Sequence, residues 1–65
     1  MFNIGDHVVS NEKYMQHAGG RYESGVVTEV YEGKDQFRMK YPITVSITEE
    51  DGTEGLFAED ELDLL

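Results

Sequence analysis

The chain has no cysteine. That removes disulfides, thiolate metal ligands and a thiol nucleophile together. It suits a reducing compartment, so the expected location is the cytoplasm. There is one proline, Pro42, and there are only five basic residues against fourteen acids. No apolar run approaches the ~18 residues of a membrane-spanning helix. The opening residues, Met1-Phe2-Asn3-Ile4-Gly5-Asp6, lack the basic and apolar regions of a signal peptide. At 65 residues the chain is read as a single domain, residues 1–65. A domain of this size buries only ~60% of the surface its unfolded chain exposes.

What is present is lopsided. Residues 1–48 hold six acids and all five bases, a net of −1. Residues 49–65 hold eight acids and no base: Glu49, Glu50, Asp51, Glu54, Glu59, Asp60, Glu61 and Asp63. Such a surface repels nucleic acid and anionic membranes and attracts a basic protein.

The longest alternating stretch is Phe37 to Thr48, with every odd position apolar and every even one polar or proline. This is the period of a strand with one greasy and one wet face. Pro42 cannot donate a ladder hydrogen bond. The expectation is therefore a lead-in, Phe37–Tyr41, followed by a core strand, Ile43–Thr48. Before it, Gly5-Asp6 makes a turn and His7-Val8-Val9-Ser10 a short strand. Residues 11–24 show neither helical nor strand period and contain Gly19-Gly20, so they read as a surface loop, with Tyr14 or Tyr22 folding back onto the core. Gly25–Tyr31 is a β-branched strand, with Val26, Thr28 and Val30 on one face and Val27, Glu29 and Tyr31 on the other. Asp51-Gly52 marks a hairpin, Glu54–Ala58 its return strand, Ala58–Leu62 one 3₁₀ turn, and Asp63–Leu65 a last strand. The expected core is Val8, Val26, Val30, Ile43, Val45, Ile47, Phe57 and Leu62. Short strands about ten residues apart with glycine turns predict an all-β fold, a small five-stranded barrel.

The order Gly5-Asp6-His7-Val8, then Gly25-Val26-Val27-Thr28-Glu29-Val30, then Tyr41-Pro42-Ile43-Thr44-Val45, then Leu56-Phe57-Ala58-Glu59-Asp60-Glu61-Leu62 resembles SH3-like five-stranded barrels. It is similar to those of the ferredoxin-docking subunit of photosystem I and the variable chain of ferredoxin–thioredoxin reductase. It also resembles small SH3-like proteins of phages and prophages, and KOW modules. The resemblance covers nearly the whole chain and implies an SH3-like barrel. The charge departs from two of these groups: ferredoxin-docking proteins and KOW modules are expected to present basic surfaces, and this chain nets −9. The phage-type group implies interaction proteins.

Catalytic chemistry finds little footing. His7 and His17 stand ten apart without companions at ligand spacing, whereas zinc needs three or four ligands. His7 reads as a partly buried packing residue. Ser10, Ser24 and Ser46 lack a nucleophile-elbow context. Gly19–Gly25 lacks the Gly-Lys-Ser/Thr ending of a phosphate loop, and Glu49–Glu54 does not match an EF-hand. The tyrosines 14, 22, 31 and 41, with Phe2 and Phe37, read as barrel-end cover or as an aromatic groove. No cofactor or metal is expected, and an enzyme is the least expected class. The expected function is a non-enzymatic, acidic protein-interaction module, phage- or mobile-element-encoded. It binds a basic host or assembly protein through the eight carboxylates of residues 49–65. The alternatives are a nucleic-acid-mimicking inhibitor and an accessory subunit of a redox complex. A homodimer through an edge strand is a further expectation.

Overall fold

The computed structural model describes residues 2–17, 22–50 and 52–65, and the side chain of His17 is outside that description. The elements follow in the order β1 (His7–Ser10), α1 (Glu12–His17), β2 (Ser24–Val30), α2 (Gln36–Lys40), β3 (Ile43–Ile47), β4 (Glu54–Phe57), a 3₁₀ turn (Glu59–Glu61) and β5 (Leu62–Leu64). The five strands form one antiparallel sheet in the order β4-β3-β2-β1-β5. The expected closure into a barrel is not seen, because β4 and β5 are edges with no ladder between them. The 3₁₀ turn carries the chain from one edge to the other. Among the described residues no helix is long and apolar enough to cross a membrane.

Two short helices stand where the sequence reads as non-helical. Asn11 starts α1: its Oδ1 accepts from the backbone N–H of Lys13 at 3.0 Å and of Tyr14 at 3.4 Å. That satisfies donors a helix start leaves open. Glu12 in the first turn suits the positive end of the helix. The expected loop over residues 11–24 thus holds a helix over Glu12–His17, and its Ala18, Gly19, Gly20 and Arg21 lie outside the described residues.

The lead-in Phe37–Tyr41 is likewise not a strand. Asp35 caps α2 through an Oδ1 that accepts from the Arg38 N–H at 3.1 Å. Tyr41, at φ −128° and ψ 70°, leaves the helix immediately before Pro42. A residue before proline is pushed out of the helical region. The local cap and the proline outweigh five residues of alternation.

The core is Phe2, Val8, Val27, Ile43, Val45, Ile47, Phe57 and Leu62. Six of these are expected from the sequence. Val26 is corrected to Val27, and Val30 is half-buried against the cluster. The cause is a bulge. Val27 pairs with Val45, but Glu29 pairs with Thr44 and Val30 with Ile43, so Thr28 is an extra residue. One unpaired residue shifts the alternation, and Val27 and Val30 come to share the inner face.

Inner-face packing also depends on glycine. Gly25 stands opposite both Val8 and Ile47. A Cβ there would lie 2.0 Å from the Ser46 carbonyl oxygen, so only glycine lets β3 approach. Tyr14 closes the core from α1, its ring 4.7 Å from that of Phe57, while its hydroxyl donates to Glu23 Oε2 at 3.1 Å. Tyr22 does not fold back and is 59% exposed. Buried Ser10 is satisfied twice: its N–H donates to the Glu23 carbonyl at 2.8 Å, and its Oγ accepts from the Glu23 N–H at 2.8 Å.

Candidate functional site

The register fixes the outer face of the sheet. One row crosses His7, Val26, Ser46 and Glu54. The next crosses Asp63, Val9 and Ser24. A third holds Glu29, Thr44 and Leu56. His7 is therefore exposed on this face rather than partly buried, a correction to its expected packing role.

Three of the eight candidate carboxylates stand on this face, with Glu54 and Asp63 on the opposite edge strands β4 and β5. Asp63 lies on it directly, opposite Val9. Glu54 lies on it opposite Ser46 and is held by Thr28, whose Oγ1 donates to Glu54 Oε2 at 3.1 Å. The unpaired bulge residue thus positions an acid. Glu49 arrives from the turn after β3: the Ser24 hydroxyl donates to its Oε1 at 2.8 Å. That hydrogen bond, before any other cause, holds the Glu49 carboxyl below its ordinary value. Strands lie about 4.8 Å apart, so Asp63 and Ser24 are about 10 Å apart across β1. Acids from two distant stretches of sequence therefore share a surface about as wide as the ~8 Å screening length at physiological salt.

Of the other five, Glu61 and Asp60 are engaged elsewhere. Glu61 is buried, 2% exposed, and its Oε1 accepts from the Ala58 N–H at 2.8 Å. It belongs to the turn and not to a docking surface, a correction with a plain cause. The Ala58 N–H at the start of the 3₁₀ turn needs an acceptor, and the Glu61 carboxylate folds back to supply it. Asp60 is exposed but ion-paired with Lys13 of α1, and this pair holds its carboxyl below the ordinary value. Its own carbonyl accepts from Asn11 Nδ2 at 2.9 Å, fastening the 3₁₀ turn to the start of α1. Glu59 is exposed on that turn and Glu50 on the β3–β4 turn. Asp51 lies outside the described residues.

At the upper end of the outer face the charge is balanced. Arg38 reaches from α2 and donates through Nη2 to Glu29 Oε1 at 3.0 Å and to Thr44 Oγ1 at 3.2 Å. Its guanidinium also lies 4.7 Å from the centroid of the Tyr31 ring. This covers Thr44, which is 6% exposed although it faces outward. Among the described residues no group of three or more His, Cys, Asp or Glu side chains is placed to hold a metal ion.

Val9, Ser24, Val26, Thr28 and Ser46 complete the face without being candidates from sequence. The alternation within β1 and β4 is visible in the sequence. Which residues stand opposite one another is decided only by pairing and by the bulge. The chain matches no protein-family model, no curated protein and no solved structure.

Proposed function

We propose that this chain is a non-enzymatic interaction module that binds a basic protein surface through the outer face of its sheet. The observation that carries the reading is the row Asp63–Val9–Ser24, extended by Glu49 and flanked by Glu54. Its centre is half-buried apolar, Val9 and Val26, and its rim is anionic. Protein interfaces favour this pattern, with a less charged centre and a polar rim. Complementary charge supplies on-rate and orientation more than affinity. The fold is proposed as SH3-like. Support comes from the sheet order β4-β3-β2-β1-β5, the 3₁₀ turn between the edge strands, and the resemblance in sequence.

The test is affinity capture with the native chain and with the combined variant Glu49→Gln, Glu54→Gln, Asp63→Asn. The native chain is expected to retain a basic protein that elutes as salt rises, and the triple variant to lose it. A Glu59→Gln, Asp60→Asn variant is expected to bind as the native chain does. Equal retention by the triple variant contradicts the proposal.

A further inference from the structure

In a chain with fourteen acids, two described lysines lack a carboxylate. Lys13 pairs with Asp60 and Arg38 with Glu29, but among the described residues Lys34 and Lys40 pair with none. The Lys40 ammonium instead lies 5.7 Å from the centroid of the Tyr41 ring. The Phe37 ring packs against the same tyrosine at 5.3 Å and remains 61% exposed. No residue of α2 is buried. Beside this aromatic ledge is an open cleft of about 430 Å³ between α1, the end of α2 and the 3₁₀ turn, lined by Lys13, Lys40, Tyr41, Ala58 and Asp60 among others. A ledge of aromatic rings beside an ammonium that has no carboxylate partner among the described residues accepts leucine side chains flanked by a carboxylate.

The same molecule displays that chemistry elsewhere. Asp63-Leu64-Leu65 leaves Leu64 62% and Leu65 76% exposed on the sheet edge formed by β5. We infer that copies of this chain associate head to tail, with Leu64 and Leu65 of one copy seated on Phe37 and Tyr41 of the next and Asp63 facing Lys40. The two surfaces are different, so the contact is heterologous and builds short chains or a ring rather than a two-fold dimer. Both surfaces are small against a standard interface, so the association is weak and concentration-dependent. Each copy carries a net −9, and this long-range repulsion is screened by salt while the apolar contact is not. Association therefore strengthens from low to physiological ionic strength. This inference does not rest on the outer face binding a basic partner, but it draws on Asp63 of that face, so the two contacts compete for that carboxylate.

Sedimentation velocity over a wide concentration range tests it, with two variants. Phe37→Ser with Lys40→Glu disables the ledge, and Leu64→Ser with Leu65→Ser disables the β5 edge. The native chain is expected to show a sedimentation coefficient that rises with concentration, and each variant alone to lose that rise. An equimolar mixture of the two is expected to form a one-to-one dimer and nothing larger, since only one productive contact remains. If Leu64→Ser disturbs β5, the single Leu65→Ser exchange serves in its place. A native chain that stays monomeric, a mixture that stays monomeric, or a ledge variant that still dimerises through β5 overturns the inference.

Discussion

The Ser24 hydroxyl donates a 2.8 Å hydrogen bond to Glu49. Through it, an acid outside the strands is fixed beside the outer-face row Asp63–Val9–Ser24. The same bond keeps the Glu49 carboxyl below its ordinary value. Ser24→Ala is therefore expected to move the Glu49 titration upward towards the usual carboxylate range. Its side-chain carboxyl resonance followed against pH by NMR checks this. A lowered carboxylate stabilises the fold above its unfolded value, and that contribution is lost as pH falls through the folded value. The loss belongs to the acid limb below the ordinary glutamate range.

Asp60 makes a parallel case at the other side of the molecule. Its carboxyl is lowered first by the hydrogen bond from Lys13 and further by the lysine's charge. Lys13→Met is expected to raise the Asp60 titration towards the ordinary aspartate value of ~3.9. The native contact is fully present above that value and is released as pH falls through the lowered one. Amide protection at the start of α1, relative to the intrinsic exchange rate, is expected to fall over the same acid window, and in Lys13→Met to be modestly lower already at neutral pH.

Gly25→Ala is expected to be the most damaging single methyl addition in the sheet. The new Cβ would meet the Ser46 carbonyl oxygen at 2.0 Å and its carbon at 2.8 Å, and backbone cannot step aside as a side chain can. The cost is expected at or above the upper end of the ~1–3 kcal/mol typical of overpacking. A domain of this length has only ~3–10 kcal/mol in total. Urea unfolding followed by circular dichroism measures it; a midpoint close to that of the native chain would contradict this packing.

Glu61 separates structure from docking. Glu61→Ala leaves the Ala58 N–H without its acceptor and is expected to cost ~1–3 kcal/mol. Glu61→Gln keeps an acceptor oxygen and is expected to cost less. Neither exchange is expected to change affinity for a basic partner, because the carboxylate is buried. Chemical denaturation beside a binding isotherm distinguishes the two effects.

The strands were largely readable, and the reasons for the misses are local. His7–Ser10 and the core strand from Ile43 follow from β-branched alternation, and Gly52, at φ +79°, from the Asp-Gly hairpin signal. Val27 was hidden behind Val26 because a bulge at Thr28 leaves no mark in an otherwise regular run. The α1 segment is six residues long, too short for a helical period to register, and only the Asn11 cap announces it. Phe37–Tyr41 has true alternation, yet Asp35 and Pro42 bracket it as a helix. For the site, composition located the acids but not their partners. Glu61 and Asp60 read as surface charge until the turn and α1 are folded around them. Asp63 and Glu49 come onto one face only through strand pairing.

Glu49, Glu54 and Asp63 are proposed to act as one surface. The most direct measurement of this is an NMR titration of the native chain with a short lysine- and arginine-rich peptide at physiological salt. The three carboxyl resonances, with the amides of Val9, Val26 and Ser46, are expected to shift along one common isotherm while Glu59 and Asp60 move little. Separate isotherms for Asp63 and Glu49, or equal shifts at Glu59 and Asp60, would contradict the proposal.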